Sequence, residues 1–445
     1  MNISFTYKQD SPRLLLIFAG WSTDATTFEG ISCPGYDIAV VWDYSDLTLP
    51  EIGRYDEVVL LAWSLGVHAA ELMLAGKDLP LTLTIAVNGT PTPVSDTAGI
   101  PEAIYLGTAE KLSEQTLAKF RRRMGASNLP RGYRSIDSLR QELQFLYQCR
   151  DARSVRPHNQ PQTPFRWDRA IISDNDMIFP PRNQENAWQG HAEITHIPGP
   201  HTPRIQEIID RFVINKTLVS SRFAKGRETY EDAADVQHRI ADHLFSLWQK
   251  HGLSAASVLE IGVGNGYFTN LYSKKLRNSE LILWDIAPAA EGVVQADAET
   301  QLPRFKGKVD AIASASTMQW FNSPAAFLQQ CSRVLNPDGL AVLSTFGPKT
   351  FAELTAAGVI PLPYLGEESL RRIVPQEFEI LELHGGLITK VFREPADVLK
   401  HLKATGVNAR PCSKSVREII ESYPRRDDGR CGLTYQPIYL ILRKK

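Results

Sequence analysis

Several protein classes are excluded by what this chain lacks. Its 445 residues include five cysteines, Cys33, Cys149, Cys331, Cys412 and Cys431, too few and too scattered for a disulfide framework or a zinc site with paired ligands. Apolar runs such as Leu14 to Ala19 fall far short of the roughly 18 residues a membrane-spanning helix needs. Met1 to Pro12 lacks a charged start followed by an apolar stretch, so neither export nor membrane insertion is expected, and the cytoplasm is the expected compartment. Excess charge of either sign is missing, with 49 Lys and Arg against 50 Asp and Glu, so nothing points to nucleic acid as a partner. No repeat or low-complexity segment occurs.

What is present is ordinary globular composition, 43% hydrophobic and 22% charged, over about three times the usual domain length, which calls for two cores. Charge is unevenly spread. Residues 1–109 hold 4 basic and 13 acidic side chains, whereas 110–170 hold 13 basic and 6 acidic. A solvated helical face explains such a run as readily as a docking surface does.

Up to residue 215, short apolar runs alternate with helical stretches: strands at Arg13 to Ala19, Tyr36 to Asp43, Glu57 to Trp63 and Leu81 to Asn88, with a helix over Val67 to Ala75. That alternation predicts an α/β fold with a parallel sheet covered by helices. A helical excursion over about 110–168 interrupts it before strands resume at Arg169 and Glu193, and this is where a lid would sit. Asn215 to Gly226 is polar and poorly periodic, so the boundary is placed there, giving domains 1–215 and 216–445. A second strand–helix alternation begins at Ser257.

Two stretches carry chemistry. Ala62-Trp63-Ser64-Leu65-Gly66 closes a buried strand and opens a helix, the setting in which a hydroxyl on a sharp turn becomes a nucleophile. A serine that merely caps the helix satisfies the same pattern. An acid and a base should follow in chain order. Asp176 after the strand at Ala170, with Asp174 as its rival, and His201 after the strand at Ile194, with His196 as its rival, take those places. The N–H groups of Leu65 and of Trp21, which follows Gly20, are the expected oxyanion donors. Further on, Glu260-Ile261-Gly262-Val263-Gly264-Asn265-Gly266 is a strand running through a glycine turn into a helix. Its spacing differs from the dinucleotide fingerprint, and the carboxylate of Glu260 suits the cationic end of S-adenosylmethionine better than a pyrophosphate. Asp285 is then placed for the ribose hydroxyls, and Asp297, followed by Ala298, for the adenine amino group. Tyr230 and Trp320 are candidate walls, and no metal is called for.

Phe18 to Ser22 (F-A-G-W-S), Ala62 to Gly66 (A-W-S-L-G), Ala86 to Thr90 (A-V-N-G-T) and Gly99 to Pro101 resemble the BioG family, pimeloyl-acyl-carrier-protein methyl ester esterases of biotin synthesis. The resemblance implies an α/β-hydrolase fold. Phe223 to Tyr230, Val236-Gln237, Gln295 to Glu299, Met318 to Trp320, Ser344 to Pro348 and Gly432 to Tyr435 resemble the BioC family, malonyl-acyl-carrier-protein O-methyltransferases of the same pathway. That resemblance implies a Rossmann-like fold and S-adenosylmethionine as cofactor. Ala356 to Glu368, a stretch suited to the acceptor pocket, is short for that family. Together the two imply a bifunctional enzyme acting on malonyl- and pimeloyl-loaded acyl carrier protein; a small-molecule carboxyl methyltransferase fused to an unrelated carboxylesterase is the alternative. Arg121, Arg122 and Arg123 in the basic excursion are the expected carrier-docking residues.

Overall fold

Strands that are apolar on both faces, such as Val58 to Ala62, are what a parallel sheet covered on each side requires. The computed structural model describes residues 1–445 apart from 47, 50, 128, 131, 133, 152–164 and 406–413, and apart from the side chains of 227–232. The chain divides into two compact units, Met1–Ile209 and Asp210–Lys445, so the division falls within the helix Ile205–Phe212. Asn215 to Gly226 is not a linker. Asn215 Oδ1 accepts from Leu218 N at 2.9 Å and caps a helix over Lys216–Ala233. Among the described residues no helix is long and apolar enough to cross a membrane.

In the first unit, strands β1 (Asn2–Tyr7), β2 (Arg13–Phe18), β3 (Asp37–Trp42), β4 (Glu57–Trp63), β5 (Leu81–Val87), β6 (Arg169–Ser173) and β7 (Glu193–Ile197) form one sheet in the order β1-β3-β2-β4-β5-β6-β7. β1 is antiparallel to β3 and the remaining pairs are parallel. Strand order reverses at β2, which has β3 on one side and β4 on the other, and a crevice opens at the carboxyl ends of such strands. Between β5 and β6 the chain leaves the sheet and forms helices Glu102–Glu110, Glu114–Arg123 and Ile136–Gln148. The bonds that fix this insertion include Trp21 Nε1 to Leu139 O (3.0 Å), Tyr44 N to Glu142 Oε1 (2.9 Å) and Thr202 N to Met124 O (2.9 Å), with Tyr105 OH to Leu143 O (2.9 Å) joining two of its helices. Trp21, Tyr44 and Thr202 follow β2, β3 and β7, so the insertion covers the carboxyl end of the sheet.

In the second unit, β8 (Ser257–Ile261), β9 (Glu280–Asp285), β10 (Val294–Gln295), β11 (Val309–Ser314), β12 (Leu335–Phe346), β13 (Phe378–Gly385) and β16 (Pro437–Lys444) are ordered β10-β9-β8-β11-β12-β16-β13, with β14 (Ile388–Phe392) paired to β15 (Cys431–Tyr435) as a separate ribbon. β16 runs antiparallel to both its neighbours. The order reverses at β8, next to the glycine turn. The helix Asp235–Lys250 buries Val236, Ile240, Leu244 and Trp248 on one face, the i, i+4 stripe that a sheet-covering helix needs. Trp248 is fully buried against Phe268 and Tyr272.

Trp248→Ala is expected to destabilise this unit by about 3–5 kcal/mol. Calorimetry should show a lowered melting temperature, and a melting profile matching the parent would refute this account of the core.

Candidate active sites

Ser64 sits directly after β4 at φ 60° and ψ −129°, a backbone conformation that costs a non-glycine residue about 1–3 kcal/mol. Two close approaches hold it there. A Cβ on Gly66 would lie 2.6 Å from the carbonyl oxygens of Phe18 and Ala19, and one on Gly89 would lie 2.2 Å from the Ser64 carbonyl oxygen, so only glycine fits at either place. Although Ser64 precedes the helix Leu65–Leu74, its side chain makes no capping bond. Its Oγ lies instead 2.9 Å from His201 Nε2.

His201 Nδ1 is 2.8 Å from Asp176 Oδ2, and both side chains are almost completely buried. Asp176 is oriented by N–H donors from Ile178 (2.8 Å) and Phe179 (2.9 Å) on Oδ1 and by Gln184 Nε2 (3.0 Å) on Oδ2. The structure thus brings Ser64, His201 and Asp176 into one hydrogen-bonded chain. The rivals stand apart: Asp174 is exposed and lies 3.3 Å from His196 Nδ1, and His196 is an exposed residue of β7 rather than a core histidine. Gly20 packs so closely that a Cβ there would be 3.3 Å from the Ser64 Cβ, which sets the Trp21 loop beside the serine. Leu65 is the first residue of the helix, so its N–H has no intrahelical acceptor.

The basic excursion needs correction. Arg121 is buried and its guanidinium donates to Leu129 O (2.8 Å) and Pro130 O (3.0 Å), stapling the turn after its own helix. Arg134 binds Asp43 and Glu142, and Arg140 binds Asp137. Arg122 and Arg123 are exposed, whereas Arg131 lies outside the described residues.

In the second unit a cavity opens where the order of strands reverses. Gly262, Gly264, Asp285, Asp297, Ala298 and Trp320 are among its walls. Gly262 is at φ 78°, and a Cβ there would lie 2.1 Å from Thr317 Oγ1. Asp285 fixes the glycine turn: Oδ2 accepts from Gly264 N (2.8 Å) and Oδ1 from Ala287 N (2.7 Å). Asp297 Oδ2 is buried with no hydrogen-bond partner, which leaves an acceptor for a ligand donor. Gly266 caps the helix Tyr267–Ser273 in the left-handed conformation.

Glu260 is not a wall of the cavity. Its Oε2 takes the hydroxyls of Thr269 (2.6 Å) and Tyr272 (2.5 Å), and burial pushes its pKa up to about 7 against the lowering by those two donors. Ala356 to Glu368 also contributes no wall; Leu362 packs instead with Ile214, Val219 and Trp320. The Tyr230 side chain lies outside the described residues. Lys216, Gln237, His238 and Tyr267 line the cavity without having been anticipated. Lys216 is buried, 2.6 Å from Glu299 and 3.7 Å from Asp297. Burial raises the Glu299 pKa and Lys216 opposes that rise. A single lysine opening a polar stretch gave no sequence signal for this pair.

Residues 1–208 match the model of the family described as pimeloyl-ACP methyl esterase BioG, and residues 233–374 match a methyltransferase domain. A malonyl-[acyl-carrier protein] O-methyltransferase of Bacteroides fragilis is 34% identical over 463 residues, covering 97% of this chain and 93% of that protein. The chain belongs to the malonyl-[acyl-carrier protein] O-methyltransferase family. A shorter relative of that name from Bacteroides thetaiotaomicron is 34% identical over 52% of this chain and 99% of its own length. The crystal structure of BioG from Haemophilus influenzae is 33% identical over 45% of this chain and 94% of that chain, with a TM-score of 0.40. The second unit has the Rossmann-like methyltransferase fold, and S-adenosylmethionine is its cofactor.

Glu260 precedes Ile261 and Gly262, which do line the cavity, and its titration tests the expectation that it meets the cationic end of the cofactor. Its folded pKa is raised, so its charge is gained as pH rises through about 7, and a cationic ligand nearby favours the charged form. Cofactor affinity measured by titration calorimetry should therefore increase between about pH 6 and 8, and Glu260→Gln should remove that part of the increase. A parallel rise in the variant would assign the titration elsewhere.

Proposed function

We propose that the chain is a bifunctional enzyme of biotin synthesis: the second unit methylates the free carboxyl of malonyl-acyl carrier protein, and the first hydrolyses the methyl ester of pimeloyl-acyl carrier protein methyl ester. The methylated carboxyl can then be elongated as an apolar chain end before the cap is removed. The full-length likeness to the Bacteroides fragilis methyltransferase carries the first half. The Ser64–His201–Asp176 chain of hydrogen bonds carries the second. We read the first unit as an α/β-hydrolase with the insertion as its lid, and the boundary expected between 215 and 216 falls a few residues after the division at Ile209 and Asp210.

Ester cleavage then follows from the geometry. Ser64 Oγ attacks the ester carbonyl while its proton passes to His201 Nε2; Asp176 holds the imidazole by Nδ1 and stabilises its charge. The N–H groups of Leu65 and Trp21 stabilise the oxyanion. Methanol departs with the proton from His201, and water repeats the sequence to free the carboxylate. In the second unit Asp285, with the Gly262–Gly266 turn, holds the ribose side of the cofactor, and Asp297 Oδ2 accepts the adenine amino group. When bound, the cofactor supplies an activated methyl group on a sulfonium. The acceptor oxygen is already an anion, so the protein's task is alignment in an apolar pocket.

Carrier docking falls to Arg122 and Arg123. Their helix ends at Met124, whose carbonyl accepts from Thr202 N, the residue after His201, and acyl carrier protein is acidic. Attraction of that kind steers encounter and is screened by salt.

Ser64→Ala should lower ester hydrolysis by about 10⁴-fold or more and leave methyl transfer intact, while Asp285→Ala does the reverse. Mass spectrometry of malonyl- and methyl-pimeloyl-carrier protein after incubation with each variant reads both activities at once; loss of both in a folded Ser64→Ala protein contradicts the division of labour. Replacing Arg122 and Arg123 with Glu should sharply lower kcat/KM on the carrier-bound ester and spare p-nitrophenyl butyrate. An equal loss on the two substrates would return these arginines to a solvated helix face.

A further inference from the structure

The Ala86 to Thr90 motif has no part in the chemistry just described, yet it lies against the site. Asn88 follows β5 at φ 46° and is fully buried. Its Nδ2 donates to Ser173 Oγ at 2.8 Å and to the His201 carbonyl oxygen at 2.8 Å, and its Oδ1 accepts from Ser173 N at 2.8 Å. Both amide hydrogens and the amide oxygen are therefore used. Trp63 Nε1 donates to the same His201 carbonyl at 3.0 Å. These two donors flank the nucleophile: Trp63 precedes Ser64 in sequence, and Gly89, next to Asn88, touches the Ser64 carbonyl.

We infer that Asn88 is a positioning residue for ester cleavage, acting with Trp63 to fix the main chain of His201 so that its imidazole bridges Ser64 and Asp176. The need for such a clamp is local. His201 follows Gly199, at φ 120°, whose carbonyl accepts from Asn175 N at 3.1 Å, and Pro200, which fixes its own φ but has no N–H to donate, so the carbonyl of His201 is where further bonds can hold its peptide. An imidazole has two side-chain torsions to satisfy two hydrogen bonds, at 2.9 Å and 2.8 Å, and it meets both only if its Cα is held. Asn88 touches neither substrate nor reacting atom in this arrangement; it acts through the His201 peptide.

The inference rests on the esterase reading, and the experiment separates the two. Hydrolysis of p-nitrophenyl butyrate by the full chain is measured for the parent, Ser64→Ala, Asn88→Asp and Trp63→Phe. Asn88→Asp keeps the shape and the acceptor for Ser173 N but sets an acceptor against the His201 carbonyl. It should lower kcat by about 10²-fold, the loss that a displacement near 1 Å brings, with KM close to the parent's. The His201 Nδ1 proton, hydrogen-bonded to Asp176 at 2.8 Å, is expected to give a far-downfield resonance in the parent and in Ser64→Ala, and in Asn88→Asp that resonance should broaden or vanish. Trp63→Phe removes the second donor and should shift kcat in the same direction, which provides a test should Asn88→Asp fail to fold. Parental kcat and an unchanged resonance in either folded variant would overturn the inference, as would an activity loss that merely tracks the unfolded fraction. A parent without Ser64-dependent hydrolysis would overturn the esterase reading and the role of Asn88 with it.

Discussion

The backbone of Ser64 is held in a conformation that serine avoids, and the N-terminal site is arranged around that constraint. A turn at φ 60° frees the hydroxyl from capping the following helix and leaves the first N–H of that helix beside it. Such a turn persists only when its surroundings over-determine it. Here they do so through backbone contact: Gly66 against the end of β2 and Gly89 against the Ser64 carbonyl, with Ser64 N bonded to Val87 O. The Ser64 turn, the loop after β2 and the end of β5 are thereby one packed unit, to which the His201 loop is tied.

The second unit solves a related problem with the opposite tools. Its glycine turn takes positive φ at Gly262, Gly264 and Gly266, where no side chain strains the backbone, and a carboxylate fixes it in addition to the close packing of Gly262 on Thr317. Asp285 on β9 reaches across to Gly264 N. In both units the candidate site sits beside the point where the order of parallel strands reverses, because there the connections on either side diverge and leave a crevice.

The second unit buries charge beside its cavity. Glu260 and the Lys216–Glu299 pair are removed from water, and removing one partner of such a pair exposes the other to the full desolvation penalty. Glu299 also accepts from Asn322 N (2.8 Å) and Ser323 N (2.7 Å), so Lys216 joins the start of the helix Lys216–Ala233 to the wall that carries Asp297. Val219 and Phe223 of the same helix line the cavity. This explains why 215–226 reads as a linker: its apolar positions are shared between a cavity wall and a small cluster around Ile214, Trp320 and Leu362, and make no regular stripe over a large core.

The sequence by itself determined the strand–helix alternation, the two glycine-bearing turns, and the chain order of serine, acid and base, because each is set by local pattern: apolar runs, small residues at turns, and spacing along neighbouring strands. Only the tertiary structure decided which candidates meet. Asp176 prevails over Asp174 because Ile178, Phe179 and Gln184 hold its carboxylate inward. Arg121 is withdrawn from the basic face because the turn that follows its helix offers carbonyl acceptors that only a guanidinium folded back can reach. The roles of Asn88 and Trp63, quoted only as parts of motifs, and of Lys216 were not legible along the chain for one reason: their partners, at His201 and Glu299, are tens of residues or more away, and a hydrogen bond or ion pair across that separation leaves no periodicity or spacing to read.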